Sequence, residues 1–183
     1  MTAATAITPA TPKITGTTRV GSRLTAVPGG WQPSGVALKY QWLRNGAAIP
    51  RATAKTYELT ASDHGKRISV RVTGSKAGLP TVAKTSAQTA VISKGVLGAK
   101  TPSITGTAKK GKTLKIKMSA WTPAPVKISY QWLRNGSKIS GATKSSYKLV
   151  KKDKKKRISV KVTGSKSGYT TVSRTSAQTG KVK

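Results

Sequence analysis

The chain has 183 residues and carries 35 Lys plus Arg against three carboxylates, for a formal net charge of +32, with one His, no Cys and no Phe. Without Cys there is no disulfide scaffold, thiolate zinc site or cysteine nucleophile, and a single His (His64) builds no multi-histidine metal centre. Glu58, Asp63 and Asp153 leave little for paired acid–base work or hard-cation binding, and no apolar run approaches the roughly 18 residues of a membrane span. No catalytic residue, metal or cofactor is therefore expected, nor any insertion into a membrane. The length suits two small domains.

Residues 1–10 read as a flexible Thr/Ala/Pro leader. They lack the basic start and apolar core of a secretory signal, so either the protein stays inside its cell or this is a segment of a longer exported chain.

From Thr11 onward the sequence repeats itself at an offset of 90. Tyr40-Gln-Trp-Leu-Arg-Asn-Gly46 returns as Tyr130-Gln-Trp-Leu-Arg-Asn-Gly136, Lys66-Arg-Ile-Ser-Val70 as Lys156-Arg-Ile-Ser-Val160, and Thr85-Ser-Ala-Gln-Thr89 as Thr175-Ser-Ala-Gln-Thr179. Of the 82 pairs aligning 11–92 with 101–182, 42 are identical without a gap. Two copies of one domain are predicted, 11–92 and 101–183, joined by a bendable connector over 93–100 that contains two glycines.

Within a copy the period is two. Leu38, Tyr40 and Trp42 alternate with Lys39 and Gln41, and Ile68, Val70 and Val72 alternate with Arg67, Ser69 and Arg71. The second copy repeats both patterns. Asn45-Gly46 and Asn135-Gly136 predict tight hairpin turns. About seven short strands per copy, with frequent glycine and no long helical period, predict an all-β fold of two tandem sandwiches.

The Tyr-Gln-Trp-Leu-Arg-Asn-Gly run followed by Asp63-His-Gly65-Lys-Arg-Ile resembles an immunoglobulin-type sandwich, with the Trp inward on the third strand. The resemblance implies that Leu24 and the Ile68/Val70 pair replace the usual disulfide. Arg67 stands where the corner tyrosine would be, and Lys155 replaces the corner glycine of the second copy. More narrowly, Thr-Pro-x-Ile-Thr-Gly-Thr, Trp-x-Pro, Tyr-Gln-Trp-Leu-Arg-x-Gly-x-x-Ile and Val-Thr-Gly-Ser-Lys-x-Gly are similar to Ig-like repeats of exported actinobacterial proteins. That likeness implies secretion or cell-wall association. Repeats of this kind serve as spacers, wall anchors or glycan-binding modules, so it does not select a ligand.

Charge separates the copies. Residues 11–92 carry +10, whereas 101–182 carry +19. The excess concentrates at Lys109, Lys110 and Lys112 with Lys115 and Lys117, at Lys138 to Lys148, and at Lys151, Lys152, Lys154, Lys155, Lys156 and Arg157. Such a field costs folding stability and exceeds what solubility needs, which favours a polyanion ligand over a merely solvated, supercharged or medium-adapted surface. Lys outnumbers Arg by 26 to 9, and a surface of mobile point charges predicts a diffuse, salt-sensitive grip rather than base readout. The nine cations from Lys109 to Lys112 and Lys151 to Arg157 are the expected polyanion-binding residues.

Trp42 and Trp132 are expected in the core. Trp31 and Trp121 either cap a sandwich end or offer a platform to a sugar ring. Tyr57 and Tyr147 are expected at a strand edge, Asp63 and Asp153 in the turn before the sixth strand, and His64 exposed and idle. The expected protein is a monomeric, non-catalytic adhesion module for an anionic cell-envelope or extracellular polymer such as teichoic acid, peptidoglycan or acidic polysaccharide, with nonspecific nucleic-acid binding in vitro. The alternatives are a passive spacer of a larger wall enzyme, a carbohydrate-binding module, and a phage-structural or nucleic-acid-binding protein.

Overall fold

The computed structural model describes residues 6–183, which divide into two compact units with the boundary between Gly95 and Val96. The first unit contains β1 (Lys13–Gly16), β2 (Arg23–Val27), β3 (Ala37–Arg44), β4 (Ala47–Ala48), β5 (Thr56–Glu58), β6 (Ile68–Lys76) and β7 (Leu79–Thr85). The second contains β8 (Ser103–Thr105), β9 (Thr113–Lys117), β10 (Lys127–Arg134), β11 (Ser137–Lys138), β12 (Ser146–Lys148), β13 (Ile158–Ser165) and β14 (Val172–Thr175). Each unit pairs a three-stranded sheet, β1-β2-β5 or β8-β9-β12, with a four-stranded one, β4-β3-β6-β7 or β11-β10-β13-β14. All of these pairings are antiparallel.

The predicted alternation decides what is buried. Trp42 lies opposite Val70 and Tyr40 opposite Val72 on the β3–β6 ladder, and Trp42, Ile68, Val70 and Val72 are all fully buried. Across the interior Leu24 comes from β2, also fully buried, so apolar side chains fill the place the resemblance gave to a missing disulfide. The second core matches it with Leu114, Trp132, Leu149, Ile158, Val160 and Val162. Each core Trp donates its indole N–H to a carbonyl, Trp42 to Ala54 (2.9 Å) and Trp132 to Lys144 (2.9 Å), so burial leaves no polar orphan.

The Asn-Gly hairpins form as expected. Asn45 and Gly46 have φ of 47° and 85°, the left-handed pair of a two-residue turn matched to strand twist. Asn45 Oδ1 also accepts the Arg67 amide (2.9 Å), tying the hairpin tip to the start of β6, and Asn135 does the same for Arg157 (2.8 Å).

Trp31 and Trp121 are caps. They are 7% and 3% exposed, and their indole N–H groups donate to Pro28 O and Lys100 O, both at 3.0 Å. Their rings lie against Gly74 and Gly164, where even a methyl group would come within about 2.5 Å of ring carbons. With so little ring surface open, neither offers a platform for a sugar, which corrects that expectation.

Two segments expected outside the sandwiches carry packing residues. Residues 1–5 lie outside the described residues, but Ile7 is buried and Thr8 pairs with Gln32. Ninety positions later Leu97 is buried and Gly98 pairs with Thr122. Ile92 is buried and Ser93 pairs with Arg19. The leader and connector are thus shorter than composition suggests, because each domain recruits an apolar residue ahead of its Thr-Pro.

Candidate polyanion-binding surface

The surface begins with a buried carboxylate. Asp153 closes a single-turn 3-10 helix (Lys151–Asp153) and is fully buried. It accepts the Arg134 Nε–H at 2.7 Å, the Tyr147 hydroxyl at 2.9 Å and the Val150 amide at 2.7 Å. Tyr147 in turn stacks on Trp132 with ring centroids 5.7 Å apart. Asp63 does the same with Arg44, Tyr57 and Thr60, so this hub is a property of the fold. Burial pushes the Tyr57 and Tyr147 hydroxyls above their ordinary pKa, and their bonds to the carboxylates push in the same direction. Burial pulls the two guanidinium groups down, but their bonds to Asp63 and Asp153 outweigh it.

The consequence for charge is direct. Both buried aspartates are committed to Arg44 and Arg134, the only ion pairs among the described residues. No carboxylate side chain of the second unit remains to neutralise its surface lysines.

Backbone hydrogen bonds then gather that unit's basic loops. Val182 and Lys183 insert between two of them. Lys110 N–H donates to Lys183 O and Lys183 N–H to Ala108 O, both at 2.9 Å, fastening it to the β8–β9 turn. Lys155 N–H donates to Val182 O at 2.8 Å and Val182 N–H to Lys156 O at 2.9 Å, fastening it to the loop before β13. Gly111 and Lys112 exchange bonds with Leu149, completing the ring. Lys109, Lys110, Lys112, Lys151, Lys152, Lys154, Lys155, Lys156 and Arg157 therefore occupy one pole of one sandwich, all exposed. Lys181, also exposed, joins them and was missed from sequence. Its signal was the aligned position 91, where the first copy has Val.

The first unit supplies the internal comparison. It has the same pole with the same bonds, such as Val20 N–H to Ser93 O at 3.0 Å and Gly65 N–H to Ile92 O at 2.9 Å. Yet Val20, Ser22, Ala61, Ser62, His64, Gly65 and Val91 stand where the second has Lys110, Lys112, Lys151, Lys152, Lys154, Lys155 and Lys181. Lys109, Lys156 and Arg157 are less distinctive, because Arg19, Lys66 and Arg67 match them. Arg157 is also partly engaged, donating to Thr179 O at 3.2 Å as Arg67 does to Thr89 O at 3.0 Å.

Lys155 holds a left-handed backbone, φ 62°, where the first copy uses Gly65 at 76°. The corner is therefore kept without its glycine, at a conformational cost that glycine would avoid. His64 is exposed at the matching corner.

Among the described residues no three His, Cys, Asp or Glu side chains come together to hold a metal, and no helix is long and apolar enough to cross a membrane. The chain is a tandem pair of immunoglobulin-like β-sandwiches, each with one buried carboxylate bound in a structural hub. No family model and no curated protein matches it. Among solved structures it is similar to an ICAM-5 D1–D4 ectodomain fragment, with 18% identity over 91% of this chain and 53% of that one, at a TM-score of 0.36. It is also similar to the tandem Ig repeats of Dlar, with 14% identity, 92% and 95% coverage and a TM-score of 0.27. The chain spans about half the length of the ICAM-5 fragment it matches.

Proposed function

We propose that the pair is an adhesion module of an exported or cell-surface protein, of the actinobacterial repeat type its motifs resemble, and that it holds an anionic cell-envelope or extracellular polymer noncovalently. One observation carries this reading: seven lysines are added at one pole of the second sandwich at positions that are uncharged or glycine in the first, with no carboxylate added beside them. A shared backbone means that folding does not require those lysines.

The mechanism is counterion release. Each lysine that neutralises a polymer charge frees a condensed cation, so affinity accumulates over many weak contacts and falls steeply with salt. Lysine ammonium groups lack the planar fork of arginine, which suits a polymer of regular charge and little shape. Nucleic acid would bind in vitro for the same Coulombic reason.

The test is retention of the full chain on isolated anionic wall polymer across a salt series. Binding at physiological salt and release by about 1 M NaCl, where screening acts within about 3 Å, is the expected result. Retention at that salt would overturn the electrostatic account. Absence of binding at physiological salt would leave a passive spacer instead.

A further inference from the structure

The excess charge of the second unit continues off the pole onto the outer face of its three-stranded sheet. On β9 the side chains alternate, with Leu114 buried, Ile116 partly buried, and Thr113, Lys115 and Lys117 exposed. Register places Lys115 between Thr105 of β8 and Ser146 of β12, Lys117 beside Ser103, and Lys148 beside Thr113. Every lysine on this face thus has only hydroxyl side chains directly across from it. Ser103 and Thr105 donate those hydroxyls to the Lys117 and Lys115 carbonyls (3.3 and 3.4 Å), leaving the ammonium groups unpaired with any carboxylate.

The matching face of the first unit differs in kind. Thr25, Val27 and Glu58 replace the three lysines, Arg23 lies directly across from Glu58, and Lys13 across from Val27. There a cation and an anion offset one another; in the second unit nothing does.

Spacing turns the three lysines into a track. Residues two apart on a strand are about 6.6–6.8 Å apart, which separates Lys115 from Lys117. Lys148 and Lys115 are diagonal neighbours across the β12–β9 pair, about 7–8 Å apart. The steps are nearly equal, and Lys148 leads directly to Lys151 and Lys152 while Lys115 leads back to Lys112.

We propose that the polymer is a flexible single chain with roughly one negative charge per 7 Å, and that it runs from the pole along β9, held by Lys148, Lys115 and Lys117. This deepens the adhesion reading above and rests on it. A compact or branched anion would occupy the pole without using the track.

Synthetic glycerol-phosphate oligomers of increasing length test this, titrated into the full chain, into K115Q/K117Q/K148Q and into the charge-matched control K127Q/K138Q/K144Q. In the native chain and the control, affinity should rise with length until the oligomer reaches past Lys117. In K115Q/K117Q/K148Q short oligomers should bind as before, the later gain should vanish, and the salt slope for long oligomers should fall by about 2, at roughly 0.7 per lost contact. Equal length dependence in all three proteins would overturn the track while leaving the pole intact. Failure of the native chain to bind any oligomer would remove both. Oligoglutamates, which carry a charge about every 3.5 Å when extended, run in parallel: binding with the same length dependence would overturn the 7 Å spacing.

Discussion

Lys155 shows the tension between stability and charge in one residue. Its backbone is left-handed, and its amide still bonds Val182 O at 2.8 Å. Replacing it with the glycine of the first copy should keep that bond and relieve about 1 kcal/mol of strain. K155G should therefore melt higher while binding polyanion more weakly, which calorimetry and a binding titration would show together. The aspartate hubs make a second prediction at this scale. Because the Tyr147 hydroxyl is held above its ordinary pKa, the folded state retains its proton into more alkaline solution than the unfolded state does. Its contribution is thus complete below the unfolded value near 10 and disappears as pH rises through the folded value. The stability advantage of the native chain over Y147F should shrink over that window in denaturant titrations, with tyrosinate absorbance appearing correspondingly late. The turn role of Asp63 and Asp153 was legible in the sequence; their partners Arg44 and Arg134 were not, because they lie 19 residues away across the sandwich.

At the level of strands and turns, alternation and Asn-Gly pairs were enough to place the core ladder and its hairpins. The choice between cap and platform for Trp31 and Trp121 was not legible in that pattern. Trp121 and Gly164 meet only because β13 passes beneath the loop before β10, a non-local contact that no local period encodes. Alanine at Gly164 would put its Cβ 2.5 Å from the Trp121 ring, and the indole is tethered to Lys100 O. G164A should destabilise the fold by about 1–3 kcal/mol through overpacking, read as a lower denaturation midpoint with unchanged slope. At the exposed Gly180, where a Cβ would meet nothing within 4 Å, alanine should leave stability unchanged or raise it, and an equal loss there would show that the cap was not responsible. Ile7 and Leu97 escaped notice for a related reason: a lone apolar residue among Thr, Ala and Gly carries no period.

On the scale of the whole chain, the asymmetry between two similar sandwiches is the main fact. The period of 90 and the charge difference were readable from the sequence alone. That two basic segments forty residues apart close into one pole around Val182 and Lys183 was not, since it depends on the Lys110–Lys183 and Lys155–Val182 bonds. The duplication also provides a matched control, because the first copy states which residues the pole tolerates without charge. The most direct measurement compares salt dependence of binding to one linear polyanion for the native chain and for K110V/K112S/K151A/K152S/K154H/K155G/K181V. If the pole is the grip, the variant should fold, bind far more weakly at low salt, and lose several units of slope in log affinity against log salt, toward about 5 if all seven lysines make contact. A folded variant with the native slope would show that the crowded lysines are not what holds the polymer.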